Sequence, residues 1–114
     1  KLEEDKLKII EKMLNLDRIY QNKYNGLNSV IRDNFSGGEV QKIILARALY
    51  KDFDILLLDE ALSQIDISER RKILQNICKY YKTKTIIMVS HNKEYYKFDK
   101  IIFLNNRKEK VYVK

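Results

Sequence analysis

Glycine is scarce in this chain and proline is absent: among 114 residues the only glycines are Gly26, Gly37 and Gly38. None is followed by lysine, so residues 1–114 contain no phosphate-binding loop of the kind that ends Gly-Lys-Ser/Thr. A Gly-x-Gly-x-x-Gly dinucleotide fingerprint is equally excluded. A single cysteine, Cys78, rules out an internal disulfide and suits a reducing compartment. No apolar run approaches the ~18 residues that a membrane span needs. Residues 1–13 alternate charge with Leu, Ile and Met, which excludes a secretory signal with its continuous apolar centre. The first residue is Lys1, and the chain is expected to be a piece of a longer polypeptide.

What is present is one domain's worth of material. Hydrophobic residues make up 45% and charged residues 34%, enough to bury a modest core. The net charge of +7 is unevenly placed, because residues 70–114 hold thirteen Lys/Arg against three Asp/Glu. Such a stretch fits either an anionic partner or a solvated face. The basic residues are scattered rather than packed in a run, which favours the solvated face.

The apolar pattern divides the chain into elements. Over residues 5–21, Ile9, Ile10, Met13, Leu14, Leu16, Ile19 and Tyr20 recur at three and four, predicting an amphipathic helix that ends before the turn pair Asn25-Gly26. Residues 27–35 read as loop. Ser36 followed by Glu39, just ahead of the apolar run VQKIILARALY, has the form of a capping box. The helix behind it, over about 39–51, is apolar on most sides and is expected to be mostly buried. Residues 54–58 form a short apolar run stopped by Asp59-Glu60, as in a central parallel strand. Asp66 opens a helix over about 67–81, with Ile67, Ile73, Leu74, Ile77, Tyr80 and Tyr81 expected inward and Arg70, Arg71, Lys79 and Lys82 outward. A buried strand over 85–89 ends at Ser90-His91, and a short helix is expected over 92–97. Strands over 100–104 and 110–113, joined by Asn105-Asn106-Arg107, suggest a hairpin.

Strand, helix and strand with apolar strands predict an α/β fold with a mostly parallel sheet and flanking helices. Ligands of such sheets bind outside the carboxyl ends of the strands. Here those ends carry Asp59, Glu60, Ser90 and His91. An aspartate at a strand tip can hold Mg²⁺ near phosphates, and a carboxylate beside it can act as general base; the alternative is an acidic pair that ends a strand. Ser36-Gly37-Gly38 at a helix start can receive an anion, or can be an ordinary cap. His91, the single histidine, reads as a phosphate contact or as a boundary residue.

In order, FSGGEVQKIILARAL, ILLLDE, ALSQID and VSH resemble the ATP-binding-cassette (ABC) ATPase family over about residues 26–114. Phe35 to Glu39 resembles the signature motif, with Phe for the usual Leu and Glu for Gln. Gln41, Ala46, Arg47 and Ala48 match the helix behind it. Ile55 to Asp59 resembles the Walker B strand, and Ser63 to Asp66 the D-loop with Gln64-Ile65 altered. The strand Asp99 to Leu104 and the segment from Gly26-Leu27 look exporter-like.

The resemblance implies ATP and Mg²⁺ as cofactors, Asp59 as the metal residue, and Glu60 and His91 as catalytic residues. Ser36, Gly37, Gly38 and Glu39 would contact the nucleotide of a second nucleotide-binding domain in a head-to-tail dimer, and Ser63 and Asp66 would line the same interface. It implies residues 1–50 as part of a helical subdomain and 51–114 as the second half of the catalytic core, together one incomplete domain. The Walker A lysine, the Q-loop glutamine and an adenine-stacking aromatic would belong to a missing N-terminal half. The implied function is ATP hydrolysis coupled to transmembrane export, at the cytoplasmic face of the membrane with transmembrane domains as partners and no nucleic acid. An ABC ATPase of DNA repair or chromosome maintenance is one alternative. A truncated cassette that lends only its signature motif is another.

Overall fold

A computed structural model describes residues 3–16, 19, 35–91, 98–104 and 109–114. The chain divides into two compact units, Lys1–Lys51 and Asp52–Lys114, taken separately below.

In the first unit, helix α1 spans Glu4–Leu14, with Glu4 and Asp5 in its first turn and Lys12 in its last, each complementing the helix dipole. It buries Ile10, Met13 and Leu14. The helix stops well short of residue 21 because Asn15 adopts the left-handed conformation (φ 60°, ψ 35°) and donates its N–H to the Lys12 carbonyl at 3.3 Å. Asparagine tolerates that region better than most residues, and the αL turn closes the helix although the apolar spacing continues. Leu16 and Ile19 beyond it are buried.

Helix α2 spans Gly37–Tyr50 and packs against α1. The Glu3 N–H donates to the Tyr50 hydroxyl (2.8 Å), and Lys6 Nζ lies 5.6 Å from the Tyr50 ring centroid, a cation–π distance. The expectation of a mostly buried helix is corrected. Only Lys42, Leu45 and Leu49 are buried, a single stripe at helical spacing, while Ile44 is exposed.

The second unit runs β1 (Ile55–Asp59), α3 (Ile67–Tyr80), β2 (Thr85–Ser90), β3 (Lys100–Leu104) and β4 (Glu109–Val113). The sheet order is β1-β2-β4-β3. β1 and β2 are parallel, joined through α3, whereas β4 is antiparallel to both β2 and β3. The α/β class holds, and the sheet is mixed, with one parallel and two antiparallel pairings, where a mostly parallel one was expected. The reason is connection length. A helical crossover returns β2 alongside β1 in the same direction, while β3 and β4 are too close in sequence for a crossover and pair as a hairpin.

Leu56, Leu58, Ile86, Met88 and Tyr112 alternate onto one face of the sheet, and α3 contributes Ile73, Leu74, Ile77 and Cys78 to the buried set. Phe98 stacks at a tilt on Tyr112 (centroids 4.8 Å) and Phe53 on Tyr81 (4.9 Å). The other face is mostly apolar and, among the described residues, exposed or half-buried. By register it carries Ile55 and Leu57, then Ile87 and Val89, then Val111 and Val113, then Ile102, all exposed or half-buried. β1 is therefore an edge strand among the described residues, exposed at alternate positions, and not the doubly covered central strand expected.

Three further expectations for α3 are corrected. Ile67, in the first turn, and Tyr80 are exposed, and Arg70 is buried. Arg70 shares the helix face of Ile73, Leu74 and Ile77, and its guanidinium turns back toward the Leu62 carbonyl (3.5 Å). The expected turn at 25–26, the helix over 92–97 and the connection 105–107 lie outside the described residues. No helix among the described residues is long and apolar enough to cross a membrane.

Candidate functional site

The parallel register pairs Asp59 with Val89, so β1 and β2 end at the same edge of the sheet. The exposed Asp59 is the last residue of β1. Glu60, immediately beyond, takes φ 49°, a left-handed conformation that costs a non-glycine residue about 1–2 kcal/mol. Two bonds to the end of β2 hold it there. Its N–H donates to the Val89 carbonyl (3.0 Å), and its Oε1 accepts the His91 N–H (2.8 Å). A strained residue tied down by both backbone and side chain is a common mark of a working site.

The chain then turns back on itself. The Ser63 N–H donates to the Glu60 carbonyl (3.2 Å) and the Ile65 N–H to the Leu62 carbonyl (3.1 Å). Leu62 and Ile65 are buried beneath this loop, and Ser63 and Gln64 are exposed on it. Asp66 is the N-cap residue of α3. Its carbonyl accepts the Arg70 N–H (2.8 Å), and its exposed carboxylate makes no capping hydrogen bond.

His91 exposes 57% of its side chain. Its Nε2 lies 3.6 Å from Glu60 Oε1 and 3.6 Å from Glu109 Oε1. The structure thus brings together Asp59, Glu60 and His91, with Ser63 and Asp66 on the loop that follows. Glu109 was not singled out from the sequence. The register in which Ser90 faces Lys110 puts it there, and nothing local to residues 105–109 signals that pairing.

For a metal, the geometry is selective. Among the described residues no group of three or more His, Cys, Asp or Glu side chains is gathered to hold an ion. The exposed carboxylate of Asp59 is the kind of hard oxygen donor that Mg²⁺ takes alongside waters and phosphate oxygens.

In the first unit, Ser36 is the N-cap of α2. Its Oγ accepts the Glu39 N–H (3.2 Å) while Glu39 Oε1 accepts the Ser36 N–H (3.0 Å), the reciprocal capping box expected. Gly37 and Gly38 form the first helical positions, where backbone N–H groups have no intrahelical acceptor and no Cβ obstructs approach.

The family model for the ABC transporter matches residues 3–63. The chain is 42% identical over 79 residues to an ATP-dependent lipid A-core flippase of Wigglesworthia glossinidia brevipalpis, covering 67% of this chain and 13% of that protein. It is 45% identical over 58 residues to an uncharacterized ABC transporter ATP-binding protein of Haemophilus influenzae, covering 51% of this chain and 10% of that one. An ATP-dependent lipid A-core flippase of Vibrio vulnificus is 39% identical over 70 residues, covering 59% of this chain and 12% of that protein. The matched stretch is therefore a small part of each relative's length.

Proposed function

Because the chain belongs to the ABC transporter family, we propose that it carries the Walker B, switch-histidine and signature portion of an ATP-hydrolysing motor that drives export across a membrane. The observation that carries this reading is the bond between Glu60 and His91 directly beyond Asp59. It ties the Glu60 carboxylate to the backbone of His91 at the strand ends beside Asp59, which supports reading the three as one site.

The chemistry follows from the residues. Asp59 offers one hard oxygen to Mg²⁺, which supplies charge neutralisation at the phosphates when bound. Glu60, whose carboxylate is held against the end of β2 by the His91 N–H, accepts a proton from the attacking water as general base. His91 presents Nε2 on the exposed edge, where its N–H can donate to a phosphate oxygen as charge builds. Gly37 and Gly38 offer backbone N–H groups at the start of α2 to an anion, while Ser36 and Glu39 satisfy the cap and keep that turn rigid. Ser63 and Asp66 lie exposed on the loop between β1 and α3, available to a partner surface.

Residues 1–50 then act as part of a helical subdomain and 51–114 as the second half of the catalytic core. A second nucleotide-binding domain supplies the nucleotide that Ser36–Glu39 touch, transmembrane domains supply the path, and the cytoplasmic membrane face is the working location. The exposed apolar face of the sheet supports a missing N-terminal half as cover, since such a face is stable when another layer packs on it. The lipid A-core flippases among the relatives support export.

The test is Mg²⁺-dependent ATP hydrolysis by the assembled transporter in lipid vesicles. Glu60→Gln is expected to remove most of the turnover, and turnover unaffected by that substitution would overturn the reading.

A further inference from the structure

We infer that Glu109, at the start of β4, is a positioning residue for His91: its carboxylate and that of Glu60 bracket Nε2 and hold the imidazole over the carboxyl edge of the sheet. The inference rests on the reading of His91 as the phosphate-facing histidine and extends it to a residue from another strand.

Register makes the contact a consequence of the backbone. β2 and β4 pair Val89 with Val111 and Ser90 with Lys110, so the next step along both strands sets His91 opposite Glu109. Side chains directly opposite on antiparallel strands have Cβ atoms about 4.5–5.5 Å apart, within easy reach for a glutamate and a histidine.

The distances then show a bracket and not a single pair. Nε2 is 3.6 Å from Glu60 Oε1 and 3.6 Å from Glu109 Oε1. Both exceed hydrogen-bond length, so Nε2 faces two acceptor oxygens and no bond must be broken when it turns to another oxygen. Packing does not fix the ring, which is 57% exposed, whereas the two carboxylate side chains are 30% and 34% exposed and better anchored. Glu60 is also fixed by the His91 N–H, so its carboxylate is a stationary post. Glu109 supplies the second. With one post the exposed ring can swing about its χ angles, and with two it is centred at the edge. A group that centres a reacting residue without touching the reacting atoms changes turnover rather than substrate binding.

The single histidine makes the test clean. ¹³C relaxation at the His91 Cε1 position of the 114-residue chain, without nucleotide, reports ring order. The wild-type ring is expected to be ordered, and Glu109→Ala to lower its order parameter clearly. Glu109→Gln, which keeps an oxygen at the same reach, is expected to retain most of the order. Glu109→Thr suits a strand and is too short to reach Nε2, and it stands in for Glu109→Ala if that variant disturbs the β2–β4 pairing. A ring already mobile in the wild type, or equally ordered in the Ala and Thr variants, overturns the proposal. In the assembled ATPase, Ala and Thr are expected to lower kcat about tenfold with KM for MgATP unchanged, and Gln to restore it. An unchanged kcat beside a loosened ring overturns the positioning role. Indifference of ATP turnover to Glu60→Gln would instead count against the ATPase reading, while the ring measurement still decides the bracket.

Discussion

Glu60 and His91, 31 residues apart in sequence, are joined by a 2.8 Å hydrogen bond in which the backbone N–H of His91 donates to Glu60 Oε1. The bond fixes the Glu60 carboxylate against the end of β2. It also makes the loop beyond β1 and the end of β2 a single mechanical piece, since the Glu60 N–H is bonded to the Val89 carbonyl in the same place.

Glu60→Gln is accordingly expected to separate structure from chemistry. The amide oxygen still accepts the His91 N–H, so the fold survives, but a neutral amide takes no proton from water. In the assembled transporter, kcat should fall by about 10²–10⁴-fold with MgATP binding retained, as measured by phosphate release and nucleotide titration. The 114-residue chain by itself is expected to show no turnover, because it holds no Gly-Lys-Ser/Thr loop.

Ser36→Ala removes the acceptor of the Glu39 N–H and breaks the reciprocal cap of α2. The expected loss is about 1 kcal/mol of stability, read from urea unfolding. Ser36→Asp, which keeps a capping oxygen, should recover most of that loss while adding a negative charge where an anion is proposed to sit, so it should still weaken nucleotide-dependent association.

Leu56 and Leu57 are adjacent in sequence and opposite in environment: Leu56 is 5% exposed and Leu57 is 72% exposed. Leu56→Ala is expected to cost about 2–5 kcal/mol. Leu57→Lys should change the stability of the chain by no more than about 0.5 kcal/mol, yet abolish association with whatever packs on that face. Denaturant melts and analytical ultracentrifugation separate the two effects.

Tyr81 gives a pH signature. Burial first, then the charges of Tyr80 and Asp52, push its hydroxyl from 10.0 up to about 12. The folded state therefore keeps a proton that the unfolded chain loses above pH 10. Stability contributed by the neutral phenol is fully present below pH 10 and falls as the pH rises toward 12. Tyr81→Phe should flatten that fall, and unfolding curves at pH 9, 10, 11 and 12 would show it.

Much of the site was legible in the sequence because its signals are local. Ser36 and Glu39 stand three apart ahead of an apolar run, and the structure forms the box they predict. Apolar runs stopped by Asp59-Glu60 and by Ser90-His91 mark strand ends, and parallel register brings those ends together. What escaped was decided by single residues or by distant pairing. The apolar spacing carries on past residue 15, but one left-handed asparagine ends α1. Arg70 reads as a surface charge until its helix face and the Leu62 carbonyl are known. Glu109 meets His91 only because β4 inserts between β2 and β3, an order that no short-range pattern encodes.

The exposed apolar face of the sheet has a consequence for the life of the chain in a cell. On the proposed reading, a layer whose second side is Ile55, Leu57, Ile87 and Val111 would draw part of its folding free energy from the concentration of its cover, by mass action. Made in excess over that cover, the chain offers an adhesive surface to proteases and to copies of itself. By register Asp59, Thr85, Lys100 and Glu109 interrupt that face with polar groups at the strand ends, the positions where gatekeeper residues oppose aggregation.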